Sequence, residues 1–191
     1  MAVIDSRTPG ALSPSVVENA DNFLDPLRLW IAALVDLPRE QVRASWLRKP
    51  GTQPTRGTTW CAVAVKGLTT TPVFRHGRRG DLNEAESGDV QHTSHEDAEC
   101  VLSFYGPAGL TLAQRFRDSA QVLQNRRLLE TQGLTLISLD QSTQRLPDLV
   151  MDQWIDRYDI LFHVGRKVSR TYGIRTLTSA DVSIFTERGK L

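Results

Sequence analysis

The sequence predicts an α+β protein: a mostly antiparallel sheet flanked by helices, with a long loop and a β-like C-terminal extension. Three observations predict it. Tyr158, Ile160, Phe162 and Val164 alternate with Arg157, Asp159, Leu161 and His163, and period-two alternation marks a strand with one buried face. Leu27, Trp30, Ile31, Leu34 and Val35 recur at helical spacing on one stripe. Strand-like runs come in pairs separated by helical ones, the order that lays helices on one face of an antiparallel sheet.

Residues 1–21 hold prolines, a glycine and few large apolar groups, and are expected as a flexible arm with at most a short helical piece at Val16–Ala20. In "NFLDPLRLWIAALVDLP", Asp25 suits the helix cap, Pro26 the first helical position and Pro38 the stop. "QVRASWL" is a short strand with Val42, Ala44 and Trp46 on one side, and "RKPGTQPTRG" is a turn-rich connection. "TTWCAVAVKG" has few polar interruptions, which fits a central strand.

Residues 66–94 are expected as a long loop, because they are rich in glycine and poor in apolar groups. Such a segment is disordered or functional, with room for a flexible hairpin. Its charges segregate: Arg75, His76, Arg78 and Arg79 come first, and Asp81, Glu84, Glu86 and Asp89 follow. "EDAECVLSFYG" resumes as a strand with Ala98, Cys100, Leu102 and Phe104 on one face, ended by Gly106 and Pro107. "LTLAQRFRDSAQVLQ" is a helix with Leu112, Phe116, Ala120 and Leu123 on its stripe. Asn125 marks a break, and "RRLLETQGL" is a second helix closed by Gly133. "LTLISLD" is a strand and "QSTQRLPDLVMDQ" a connection into the long strand. The tail "RTLTSADVSIFTERGKL" keeps a β-like pattern through Val182 and Ile184. The expected division is a flexible arm 1–21, a core domain 22–165 containing the loop 66–94, and an extension 166–191. Trp30, Ile31, Leu34, Phe104, Phe116, Leu123, Tyr158, Ile160 and Phe162 are the expected common core.

At 191 residues and 40% hydrophobic content, the chain can build one core. A net charge of +1 gives no global pull toward nucleic acid or membrane. No apolar run approaches the ~20 residues that span a bilayer. The N-terminus shows no charged leader before an apolar core, so a soluble protein made inside the cell is expected. Cys61 and Cys100 sit in apolar runs and are expected as buried thiols in a reducing compartment, with a disulfide or reactive thiol as the alternative.

No catalytic constellation survives inspection. His92 and His95 lie near Glu96, Asp97 and Cys100, but the three-residue spacing suits a helix better than the entry to a strand, and no second cluster completes a metal set. Nothing local supports Cys61 or Cys100 with His163 as a nucleophile pair. "GRRG" and "YGPAGLT" lack the lysine and spacing of a phosphate loop. Glu96 and Asp97 point to opposite faces of a strand, and Asp156 and Asp159 have the same difficulty. Arg166, Lys167, Arg170 and Arg175 lack the interleaved aromatic groups of a single-strand nucleic-acid binder. The expectation is a protein with no enzyme activity, no metal and no cofactor.

The stretches "LRLWIAALVDLPREQVRASW", "GTTWCAVAV", "CVLSFYGPAG", "LAQRFRDSAQVLQNRRLLETQGL" and "MDQWIDRYDILFHVGRKVSRTYGI" resemble, in the same order, the neck or tail-terminator proteins of tailed bacteriophages. The resemblance runs over roughly residues 25–178. It implies a six-membered homo-oligomeric ring that caps the tail tube and docks a head-side connector. Tail tube protein and head-side connector protein are then partners. A tail sheath is a further partner that the resemblance leaves open. Genome DNA would pass through the ring without sequence-specific binding. The protein would sit at the head–tail junction of the virion after assembly in the host bacterial cytoplasm. A head-completion adaptor or stopper at the same junction is the alternative, ahead of a small metal-dependent enzyme or a DNA-binding accessory protein. The candidate contact residues are Arg75, His76, Arg78, Arg79, Asp81, Glu84, Glu86 and Asp89 in the loop, and Arg166, Lys167, Arg170, Tyr172 and Arg175 in the extension. The long strand is expected either to offer an unpaired edge to another chain or to fold back as a hairpin with residues 177–185.

Overall fold

The computed structural model describes residues 9–18, 23–45, 54, 55, 57–79, 88–150 and 153–174, with backbone alone at 72–79, 88–90, 150 and 153. The chain divides into two compact units: residues 18–73 with 93–169, and residues 1–17 with 74–92 and 170–191. The fold is α+β, an antiparallel sheet flanked by helices, as expected.

In the larger unit, helix α1 spans Leu24–Val35 and buries Leu27, Trp30, Ile31, Leu34 and Val35. Its start lies two residues earlier than expected. Phe23 precedes the first turn without a side-chain cap, and Asp25 sits inside that turn, where a carboxylate favours the positive helix end. Asp25 also accepts a 3.1 Å hydrogen bond from Arg28. The helix closes on Asp36 in the left-handed conformation (φ 57°), whose N–H returns to the Ala32 carbonyl. A 3₁₀ turn at Arg39–Gln41 leads into β2, Val42–Ala44. Arg28 Nε donates to the Val42 carbonyl at 2.7 Å and ties α1 to β2.

Strands β3 (Trp60–Arg79) and β4 (Gly88–Tyr105) follow. They are neighbours in the sheet, and residues 80–87 are too few for a parallel crossover, so the pair is antiparallel. Much of the expected loop 66–94 is therefore strand, at residues 66–79 and 88–94. Apolar content hid it. Backbone pairing between the arms replaces side-chain burial, and the run Thr69–Thr71 favours extended backbone. Beyond β4, Gly106 has φ +91°, and a Cβ there would stand 2.5 Å from the Thr58 carbonyl oxygen. The turn requires glycine.

Helices α2 (Gly109–Ala120) and α3 (Leu123–Glu130) are split at Gln121 and Val122, before Asn125. The split resets the helical phase, so Leu123, expected in the core, is 63% exposed. Asn125 instead joins three helices. Its side chain donates to the Ser119 carbonyl, and its own carbonyl accepts from the Trp30 indole, both at 2.8 Å. Gly133 ends the helical segment at φ +76°, as its sequence position predicts.

Strands β5 (Leu134–Leu139), β6 (Gln144–Val150) and β7 (Gln153–Ile174) complete the sheet. The segment Gln144–Val150, expected as part of a connection, is a strand. It pairs antiparallel with β7, Gln144 opposite Asp159 through Val150 opposite Gln153. Proline is tolerated there because β6 bonds a neighbour on one side only.

The strand order is β1–β7–β4–β3–β2, with β5 and β6 also on β7. Phe116 of α2 sits centrally in the core. Its ring meets Trp30 at 5.6 Å, Phe162 at 5.7 Å and Phe104 at 6.2 Å between centroids. Tyr158 packs at the periphery, partly buried. Among the described residues, no helix is long and apolar enough to cross a membrane.

In the smaller unit, β1 (Val16–Glu18) replaces the helical piece expected at Val16–Ala20. Just before it, the Ser15 N–H donates to the Thr171 carbonyl of β7 at 2.8 Å. That pairing partner is remote in sequence, so local propensity gave no sign of it.

Candidate interaction surface

The two faces of the larger unit's sheet differ in cover. On one, Ala98, Cys100, Leu102 and Phe104 of β4 join Ile160, Phe162 and Val164 of β7 and the apolar stripes of the helices. At the margin of this face, Arg166 meets Glu96 at 2.7 Å, with side chains only 12% and 6% exposed. The Arg166 guanidinium also lies 4.8 Å over the Phe23 ring. The other face carries no helix and is polar. Lys66 pairs with Glu99, and His163 with Asp97, each at 3.0 Å. Arg157 reaches Asp148 at 3.2 Å and Asp159 at 3.1 Å. Trp60 stacks on Tyr105 with centroids 4.1 Å apart, and the Arg43 guanidinium stands 5.8 Å from the Trp60 ring. Burial of Tyr105 pushes its phenol up from the ordinary tyrosine range.

The sheet edges differ more. The side of β7 away from β4 is taken by β6 along Gln153–Asp159 and by β5 along Phe162–Arg166. In the terminal unit it is taken by β1. The long strand therefore offers no unpaired edge at these positions, contrary to one of the two alternatives expected for it. On the opposite side of the sheet, β2 runs parallel to β3 only from Val42 opposite Cys61 to Ala44 opposite Val63. Among the described residues, no strand lies on that side of β3 past Val63. Lys66, Leu68, Thr69, Thr70 and Thr71 are exposed, Leu68 by 48%.

The expected contact residues are dispersed. Arg75, His76, Arg78 and Arg79 lie on β3 and Asp89 on β4, where backbone alone is described. Asp81, Glu84, Glu86 and Arg175 lie outside the described residues, as do residues 177–185 of the expected hairpin. Arg166 is committed to Glu96 in its own chain. Lys167 is exposed, and Arg170 and Tyr172 are partly buried. Val168 is 0% and Ser169 4% exposed, and both belong to the larger unit. Sequence reasoning missed the β3 edge, the Trp60–Tyr105 stack and the Arg166–Glu96 pair. The last had a usable signal, since each residue continues the parity of a buried stripe.

A family model described as phage neck terminator protein matches residues 21–189. The chain belongs to this family. The comparison with curated proteins returns no match. Membership makes the chain a structural protein of the phage neck, acting among tail and head components.

The groups considered for chemistry stand apart in this family member. Cys100 faces the core and His95 is exposed, as their opposite strand parity requires. Among the described residues, no group of three or more histidine, cysteine or acidic side chains could hold a metal ion. Both cysteines are free and buried. Burial pushes each thiol up to about 12, for Cys100 with added repulsion from Asp97 and Glu99. Such thiols are poor nucleophiles at neutral pH.

Proposed function

We propose that this protein is the tail terminator: a homo-oligomeric ring, six-membered by resemblance, that caps the tail tube and joins it to the head-side connector. The observation that carries this reading is the family match over residues 21–189. A one-sided sheet supports it. Helices close one face, while the polar face and the β3 edge are left for other chains. On this polar face Lys66, Arg157 and His163 each have an acidic partner, which supports passage of the genome without sequence-specific binding. Cytoplasmic assembly in the host belongs to the same reading.

Tails assembled with and without the protein, viewed by electron microscopy alongside native mass spectrometry, test the proposal. A ring-sized mass and tails ending in an added ring at one length support it. Rings that attach to heads and leave tail length unchanged would replace terminator by adaptor or stopper. Uncapped tails of normal length in the presence of the protein would reject both.

A further inference from the structure

We propose that Arg43, Trp60, Tyr105, Arg157 and Asp148 form a transverse tie on the helix-free face, through which the β2–β3 side of the sheet sets how readily β6 leaves β7. The inference stands independently of the ring reading.

The five side chains belong to five strands: Arg43 to β2, Trp60 to β3, Tyr105 to β4, Arg157 to β7 and Asp148 to β6. Strand parity puts them on one face, because Val42, Cys61, Phe104 and Ile160 point into the core. Asp148 lies opposite Ile155, on the parity of Arg157. At the usual spacing between strands, the row crosses roughly 19 Å of sheet.

Each link is a direct contact. The Arg43 guanidinium stands over the Trp60 ring. The indole lies flat on the Tyr105 ring, 4.1 Å between centroids and 6° between planes. Burial raises the Tyr105 phenol and the charge of Arg157 opposes that rise, so these two groups meet across the β4–β7 pair. Arg157 then donates to the Asp148 carboxylate of β6 at 3.2 Å.

Strand β6 depends on this last link. Gln144, Arg145, Leu146, Pro147 and Leu149 are exposed, so little apolar burial holds the strand, and Pro147 supplies no N–H to the ladder. Its other ion pair with β7, Arg145 to Asp156, is 65% and 44% exposed, and pairs so open to water contribute little. The Arg157–Asp148 pair is better shielded. Asp159, on the same strand as Arg157 and 3.1 Å from it, competes for the guanidinium. With the stacked Tyr105 in place, the guanidinium bridges both acids. Without it, Asp159 keeps the charge and β6 loses its anchor. Local opening of β6 is the two-state element that the tie biases. A contact that immobilised Trp60 would favour the closed form.

Hydrogen exchange of the full chain tests the tie, read at the β6 amides with the β5 amides as internal reference. β5 pairs with the same strand β7 but lies outside the row. Trp60→Leu removes the stack, and β6 is expected to exchange about tenfold faster while β5 is unchanged. Asp148→Asn is expected to speed β6 by itself, and adding Trp60→Leu to it is expected to speed β6 no further. Unchanged β6 in Trp60→Leu, equal acceleration of β5 and β6, or additive effects in the double variant would overturn the proposal. If circular dichroism shows that Trp60→Leu fails to fold, Tyr105→Phe decides, since it keeps the stack and loses the phenol. Faster β6 exchange with β5 unchanged then supports the tie, and unchanged β6 overturns it.

Discussion

Along the outer side of β7, strands β6 and β5 of the same chain take up successive stretches of backbone, whereas along the outer side of β3, among the described residues, the three residues of β2 alone do so. The two strands are nearly equal in length, 22 and 20 residues. Their sequences suggest the opposite use. β7 carries the clear alternation, a basic continuation and the look of a strand awaiting a partner. β3 past Lys66 looks like a loop. The difference teaches that side-chain pattern reports which face is buried, while edge pairing depends on backbone groups that every residue carries alike.

If the β7 side is internal, damage there should unfold the protein. Ending the chain after Gly165 removes Val168 and leaves Glu96 without Arg166. The expected loss is roughly 5 kcal/mol or more, from apolar burial and the loss of a buried ion pair, and circular dichroism should show no cooperative transition. This reverses the sequence-based view of residues 166–185 as separable from the core. Phe162→Ala, which removes the ring packed against Phe116, should cost ~3–5 kcal/mol in urea unfolding. Arg166→Ala should cost a similar ~3–5 kcal/mol by removing the 2.7 Å ion-pair partner of buried Glu96. A loss near zero for Arg166→Ala would mean that the β7 margin is open after all.

Smaller effects sharpen the contrast. The raised thiols of Cys61 and Cys100 bind protons more tightly in the folded chain than in the unfolded one. Their contribution is complete below about pH 9 and is lost as pH rises toward about 12. Thermal melts should therefore show falling stability across that window, and Cys61→Ser with Cys100→Ser should flatten the fall. Leu123→Ala, at a site 63% exposed, should change stability by no more than ~0.5 kcal/mol. A larger loss would restore the single long helical stripe expected from sequence.

The core was legible because burial leaves a period. Trp30, Phe104, Phe116, Ile160 and Phe162 lie on stripes that are readable residue by residue, and all are buried. Leu123 was misplaced because a two-residue break shifts helical phase without leaving a glycine or proline. β6 was missed because Pro147 is unfavourable in a strand unless the strand is an edge, and edge position is a tertiary fact. Of the interaction surface, almost nothing was legible. Threonine and glycine at residues 67–71 are equally at home in loops, and among the described residues β2 pairs with β3 no further than Val63.

Residue-resolved amide hydrogen exchange of β3, in the isolated subunit and in the assembled form, addresses the contrast most directly. Amides of Ala64, Lys66 and Leu68, directed toward β4, should be protected in both states. Those of Val65, Gly67 and Thr69 should exchange fast in the subunit and become protected on assembly. Equal protection of both sets in the isolated subunit, or fast exchange of Val65, Gly67 and Thr69 in the assembly, would contradict the β3 edge as a surface left for other chains.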